Sequence, residues 1–115
     1  MDELPLSNNF QIERNNLNDF TCYCPPEFDS ALQQEFKQCT EQILADRHIR
    51  SIRISLARTN FIDASGIRSL LYAHERASEI GLPFSVIEAR GTAIRVLRIT
   101  GMVEVLNVDV GDIHS

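Results

Sequence analysis

Apolar residues recur along this chain with two different spacings, and the switch between them divides it into alternating strands and helices. Ser51-Ile52-Arg53-Ile54-Ser55-Leu56 alternates strictly, which predicts a strand with one buried and one wetter face. Phe10 and Ile12, then Phe20-Thr21-Cys22-Tyr23-Cys24, predict two earlier short strands, with the polar residues 14–19 as the turn between them. Pro25 and Pro26 end the second strand, because neither can donate to a ladder. Helical spacing then takes over at Leu32, Phe36, Cys39 and Ile43. Ser30 is the expected N-cap of that helix, with Gln33 completing a capping-box pattern, and Asp46-Arg47-His48 ends it.

After the alternating strand, Ile67, Leu70, Ala73, Ala77 and Ile80 predict the core face of a second helix, stopped by Gly81 and then Pro83. Phe84-Ser85-Val86-Ile87 reads as a strand. Thr92 is placed to cap a third helix carrying Ile94, Val96, Leu97 and Ile99, with Gly101 just past its end. Val103-Glu104-Val105-Leu106 reads as a last strand, or as a short continuation packed on the sheet. The order β-β-α-β-α-β-α-β defines an α/β domain with a mixed sheet of 4-5 strands. Successive strand-helix-strand crossovers imply parallel pairing of the later strands, with the helices mainly on one face.

The length of 115 residues fits one domain, and 43 % apolar with 23 % charged residues is ordinary globular composition. The expected division is a loose N-terminal arm over 1–8, one domain over 9–110 and a tail over 111–115. The net charge of -5 argues against a nucleic-acid partner, since such proteins gain affinity by neutralising phosphates with Lys and Arg. Arginines do crowd two stretches, at Arg47, Arg50, Arg53 and Arg58 and at Arg90, Arg95 and Arg98; a solvated surface is the simpler reading of both. No apolar stretch approaches the roughly 20 residues of a membrane span, so direct membrane insertion is not expected. Met1-Asp2-Glu3-Leu4-Pro5 lacks the basic and apolar regions of a secretory signal, and a cytoplasmic location is expected. Cys22, Cys24 and Cys39 have no zinc-like or redox spacing and read as reduced, partly buried thiols.

The candidate chemistry lies at Asp63-Ala64-Ser65-Gly66-Ile67, where a strand gives way to a helix. Free backbone N–H groups and the positive end of the helix dipole meet there, at the carboxyl end of the parallel strands. Asp63 or Ser65 can cap the helix, and Gly66 permits close approach of another backbone or side chain. Taken alone, these residues need be no more than a cap.

Read together with its flanks, the segment resembles the STAS family, the domain of sulphate transporters and anti-sigma factor antagonists. The signature of that family is an alternating apolar strand, a short loop, then Asp-Ser-(Ser or Thr)-Gly-Leu opening a helix. Here it reads Ile52-Arg53-Ile54-Ser55-Leu56, then Phe61-Ile62-Asp63-Ala64-Ser65-Gly66-Ile67. Glu27-Phe28-Asp29 is similar to the family's Glu-Leu-Asp segment, and Gly81-Leu82-Pro83-Phe84 stands where the family has a Gly and then an apolar strand. Residues 93–102 are similar to its last helix, which closes on Gly-Leu.

The resemblance implies a stand-alone protein-binding switch rather than an enzyme, with no cofactor. In anti-sigma factor antagonists the domain docks on an anti-sigma factor that is also a GHKL-type serine kinase, a phosphatase being a further expected partner. The implied contact residues are Glu27, Phe28, Asp29, Asp63, Ala64, Ser65, Gly66 and Ile67, with exposed apolar side chains such as Phe28 or Ile67 favouring docking. Phosphorylation of the residue after the Asp turns docking off, since a phosphate adds about -1.5 to -2 charge to a tight interface. This sequence departs from the pattern there: Ala64 cannot accept a phosphate. Constitutive binding, Ser65 as a displaced acceptor, and control from elsewhere all stay open. The alternative reading is an accessory subunit of a lipid or solute ABC transporter. No P-loop or G-x-G-x-x-G occurs, and His48, His74 and His114 show no catalytic spacing.

Overall fold

The computed structural model describes residues 4–110. Its strands are β1 (Gln11–Arg14), β2 (Asp19–Tyr23), β3 (Glu27–Phe28), β4 (Ser51–Ser55), β5 (Phe61–Ile62) and β6 (Phe84–Ile87). Its helices are α1 (Gln33–Leu44), α2 (Ala64–Glu79), α3 (Gly91–Ile99) and the single turn α4 (Met102–Val105). The main sheet has the order β1-β2-β4-β6. β1 runs antiparallel to β2, while β2–β4 and β4–β6 are parallel, as the crossovers require. β3 and β5 form a separate two-stranded parallel sheet that the periodicity does not announce.

The alternation in β4 sets the layering. Ile52, Ile54 and Leu56 are fully buried beneath the helices, together with Phe20 and Cys22 of β2. Phe36, Cys39 and Ile43 of α1 and Leu70, Ala73 and Ala77 of α2 close the core from the other side. The three cysteines are free and buried. Burial pushes the thiol of Cys24 well up, helped by its hydrogen bond with Cys22, and burial also raises that of Cys39.

Several local expectations change. Asp29 rather than Ser30 caps the first helical turn, a 3-10 turn over Ser30–Leu32, by accepting the Ala31 N–H at 3.1 Å. Thr92 is not the cap: α3 begins at Gly91, and its N-cap Arg90 makes no capping side-chain bond. Val103-Glu104-Val105-Leu106 is not a strand, because Gly101 takes φ 73 and the chain turns directly into α4. Val108 instead extends the sheet through a parallel bridge to Val86. Ile80, expected on the core face, lies at the end of α2 beyond the covering layer and is exposed, as is Ile99 at the end of α3.

The Gly81 stop is as the sequence predicts. Gly81 N–H donates to Ser78 O and Leu82 N–H to Ala77 O, a Schellman closure with Gly81 at φ 70. The described part of the expected loose arm is tied to α1. Ser7 Oγ donates to Glu35, whose other oxygen accepts the Asn9 amide at 2.7 Å, and Leu4 packs against the core. Those bonds hold the Glu35 carboxyl below its ordinary range. The expected tail over 111–115 lies outside the described residues.

Candidate functional site

Asp63 sits at the junction of β5 and α2 with extended backbone (φ -112, ψ -170), and its carboxylate accepts the Gly66 N–H at 3.0 Å. It is therefore the cap of the 16-residue helix, and Ala64 and Ser65 become the first two helical residues. Ala64 is exposed; Ser65 is half-buried, and its Oγ accepts from Arg68 Nη2 at 3.1 Å. Ile67 is half-buried and packs against the core edge.

Gly66 is buried for a steric reason. A Cβ there would lie 2.5 Å from the carbonyl oxygen of Phe28 and 2.6 Å from Ile62 Cγ1. The helix N-terminus can approach β3 this closely only without a side chain. β3 is fixed in turn: Glu27 and Phe28 pair with Phe61 and Ile62, and Gln33 Nε2 donates to Ser65 O at 3.5 Å. The two segments named from the sequence, 27–29 and 63–67, thus form one continuous surface.

Their side chains divide differently from the sequence expectation. Phe28 does not face solvent. Its ring is fully buried against Phe10 and Phe36, with centroids 5.6 and 5.2 Å away, so it anchors the surface without being presented on it. Glu27 is exposed, and Asp29 is half-buried with its carboxylate engaged in the cap.

The aromatic group that does face outward is Phe61, 46 % exposed on β5, which the sequence reading did not single out. Its alternation with Ile62 carried the signal: Ile62 is buried, so its strand neighbour must point away. Loop 57–60 is clasped beside it, where Thr59 Oγ1 donates to Pro25 O at 2.9 Å and Asn60 N–H to Pro26 O at 2.8 Å. An open groove of about 390 Å³ runs along the other side of β3, past Pro26, Glu27, Asp29 and Leu32.

This surface can offer a shallow, partly acidic face with one protruding aromatic ring. Of its carboxylates Asp29 and Asp63 are capping groups and Glu27 is exposed; no histidine lies within it, and His74 packs edge-on to Phe84 on the far part of α2. No group of three or more His, Cys, Asp or Glu side chains among the described residues is arranged to hold a metal ion. No helix among them is long and apolar enough to cross a membrane.

Comparison with solved structures places the fold among known ones. An anti-sigma factor antagonist from Mycobacterium paratuberculosis aligns with a TM-score of 0.74 at 20 % identity, over 90 % of this chain and 86 % of that one. The Bacillus cell fate determinant SpoIIAA in its phosphorylated form aligns with a TM-score of 0.58 at 16 % identity, over 83 % and 86 %. A sulfate transporter family protein from Wolinella succinogenes aligns with a TM-score of 0.70 at 16 % identity, over 82 % and 75 %. At such identities the likeness is one of fold. No curated protein matches the sequence significantly. The sequence itself matches the STAS domain over residues 13–111, and the chain belongs to that family.

Proposed function

We propose that this chain is a regulatory protein-binding module of the anti-sigma factor antagonist type. It docks on an anti-sigma factor or GHKL-type serine kinase through the Asp63–Ile67 turn and the adjoining 27–29 edge, and it binds without a phosphate off-switch at position 64. The observation that carries the reading is Ala64. It stands exposed at the first position of α2, where the family resemblance puts the phosphate acceptor, beside a cap that the fold keeps intact. A methyl group there leaves the docking surface uncharged, whereas a phosphoryl group would add charge and a desolvation cost. A relative of the same fold has been solved in a phosphorylated form, which supports phosphate acceptance as a property available to this fold.

Incubation with the serine kinase encoded beside this gene, if one is present, and ATP is the direct test. Intact mass should stay unchanged, and a pull-down should recover the kinase or its anti-sigma partner. A phosphate that vanishes in Ser65→Ala would overturn constitutive binding and make Ser65 the acceptor.

The second reading, an accessory subunit of a lipid or solute transporter, draws support from the fold likeness to the Wolinella transporter-family protein. It also has no need of an acceptor at Ala64. Recovery of a transporter ATPase in place of a kinase would establish it and sink the first.

A further inference from the structure

We propose that the pole of the domain opposite the Asp63 turn is a docking surface for an anionic lipid bilayer. β2, β4 and β6 run parallel, so their amino ends share one pole with the carboxyl ends of α1, α2 and α3. Backbone and side-chain bonds join the loops there into one row: Arg50 N–H to Asn18 O at 2.9 Å, Ile52 N–H to Pro83 O at 3.0 Å, and Asn107 Nδ2 to Phe84 O at 2.9 Å.

Four of the chain's exposed large aliphatic side chains stand on this row. Leu17 is 58 % exposed on the β1–β2 turn, Ile80 52 % at the end of α2, Ile99 77 % at the end of α3 and Val105 45 % on α4. They project singly from separate loops and helix ends. The cleft at this pole, about 210 Å³ beside Asp19, Ser51, Pro83 and Asn107, takes in none of the four. Such isolated tips suit the soft boundary between headgroups and acyl chains better than a rigid protein groove.

Charge selects the lipid. Arg47, Arg50 and Arg98 are exposed on the same loops and ends and make no ion pair or side-chain hydrogen bond. Of the neighbouring carboxylates, Asp46 is paired with Arg14 and Glu79 with Arg76, whereas Asp19, hydrogen-bonded by the neutral Ser51 and Asn15, keeps its charge in the field of Arg50. Glu104 on α4 also keeps its charge, so among the described residues three arginines face two carboxylates and the pole stays net positive. A net positive set of arginines between aliphatic tips, on a chain that is acidic as a whole, matches a negative bilayer surface at this pole. A second copy brought in through a two-fold axis would set those arginines against themselves. Docked this way, the domain turns the Asp63 surface away from the lipid, so both faces can be used at once. Docking at this pole is independent of what binds the Asp63 surface.

Co-sedimentation of the whole chain with vesicles of phosphatidylcholine, with and without phosphatidylglycerol, tests it. Binding is expected only with the anionic lipid, and salt should weaken it. Arg98→Glu should lower partitioning by at least about five-fold, the effect of one basic group at such a surface. Ile99→Asp should lower it further, while Gln38→Glu, on the middle of α1, should leave it unchanged. Ile99 and Arg98 are exposed, so thermal melts of these variants should overlay the parent and separate lost docking from lost folding. Failure to bind anionic vesicles at low salt overturns the proposal. So does a concentration-dependent dimer, abolished by Ile99→Asp, in a chain that ignores lipid.

Discussion

Gly66→Ala sets two physical effects of opposite sign against each other, and the structure decides between them. By helix propensity alone, alanine within α2 should stabilise the protein by about 1 kcal/mol. Gly66 does not have positive φ, so no backbone strain opposes the change. Space does. The new methyl would meet the Phe28 carbonyl oxygen at 2.5 Å and Ile62 Cγ1 at 2.6 Å, and both must give way by about 1 Å to reach ordinary contact. Neither is a loose side-chain tip. The Phe28 backbone is held by the β3–β5 ladder and by its ring in the Phe10–Phe36 cluster, and Ile62 is buried. Overpacking of this kind costs typically 1–3 kcal/mol, and contact with backbone puts it at about 3. Subtracting the propensity gain leaves a net loss of about 2 kcal/mol. For a domain of this size that lowers the midpoint by about 8 °C. Scanning calorimetry beside Gly81→Ala separates the causes. Gly81 has φ 70 and nothing within 4 Å of a Cβ, so its loss is conformational alone, about 1 kcal/mol. A Gly66→Ala midpoint equal to or above the parent would refute the close approach of α2 to β3, and with it the shape of the candidate surface.

Three further expectations concern the pH response, the turn and the core. Glu41 links α1 to α2 through a bidentate pair with Arg76, at 2.6 and 2.9 Å, and accepts from Tyr72; Arg76 foremost and Tyr72 next lower its carboxyl from 4.5 to about 2. Because the folded value is the lower one, the contribution is present above pH 4.5 and is lost as pH falls towards 2. The pair is partly solvated, so the effect should be no more than about 1 kcal/mol, read as a smaller acid loss of urea stability in Glu41→Gln than in the parent. An identical acid profile in the two would rule this out. Ala64→Glu should reduce partner binding at least about ten-fold while leaving the melting temperature unchanged or slightly raised, since an acidic side chain suits a helix N-terminus; a matched loss of stability would point to misfolding instead. Cys22, Cys24 and Cys39 should react with a thiol reagent only at the rate of unfolding, because burial makes all three inaccessible and raises the thiols of Cys24 and Cys39. Prompt labelling of one thiol in the native protein would contradict that packing.

Much of this molecule is legible in the chain. Strict alternation over residues 51–56 placed a half-covered strand, the 3.6-residue stripe at Phe36, Cys39 and Ile43 placed α1, and Gly81 before Pro83 placed the end of α2. These signals are local, because each depends on which side of one element faces apolar neighbours. The Asp63 turn is local too, since a cap is made within four residues.

What the sequence left open depends on groups far apart in the chain. Val103-Glu104-Val105-Leu106 has the alternation of a strand, yet the left-handed turn at Gly101 and the docking of Leu106 in the core make it a helical turn. Ile80 and Ile99 complete their stripes in sequence but overrun the layer that would cover them. Glu27-Phe28 is too short to show any period, and only the pairing of β3 with β5 turns Phe28 inward and Phe61 outward. The identity of the turn at 63–67 was therefore written in the chain, whereas the face it presents was not. A cap needs only neighbours in sequence; a surface needs the residues packed behind it, and those come from the other end of the fold.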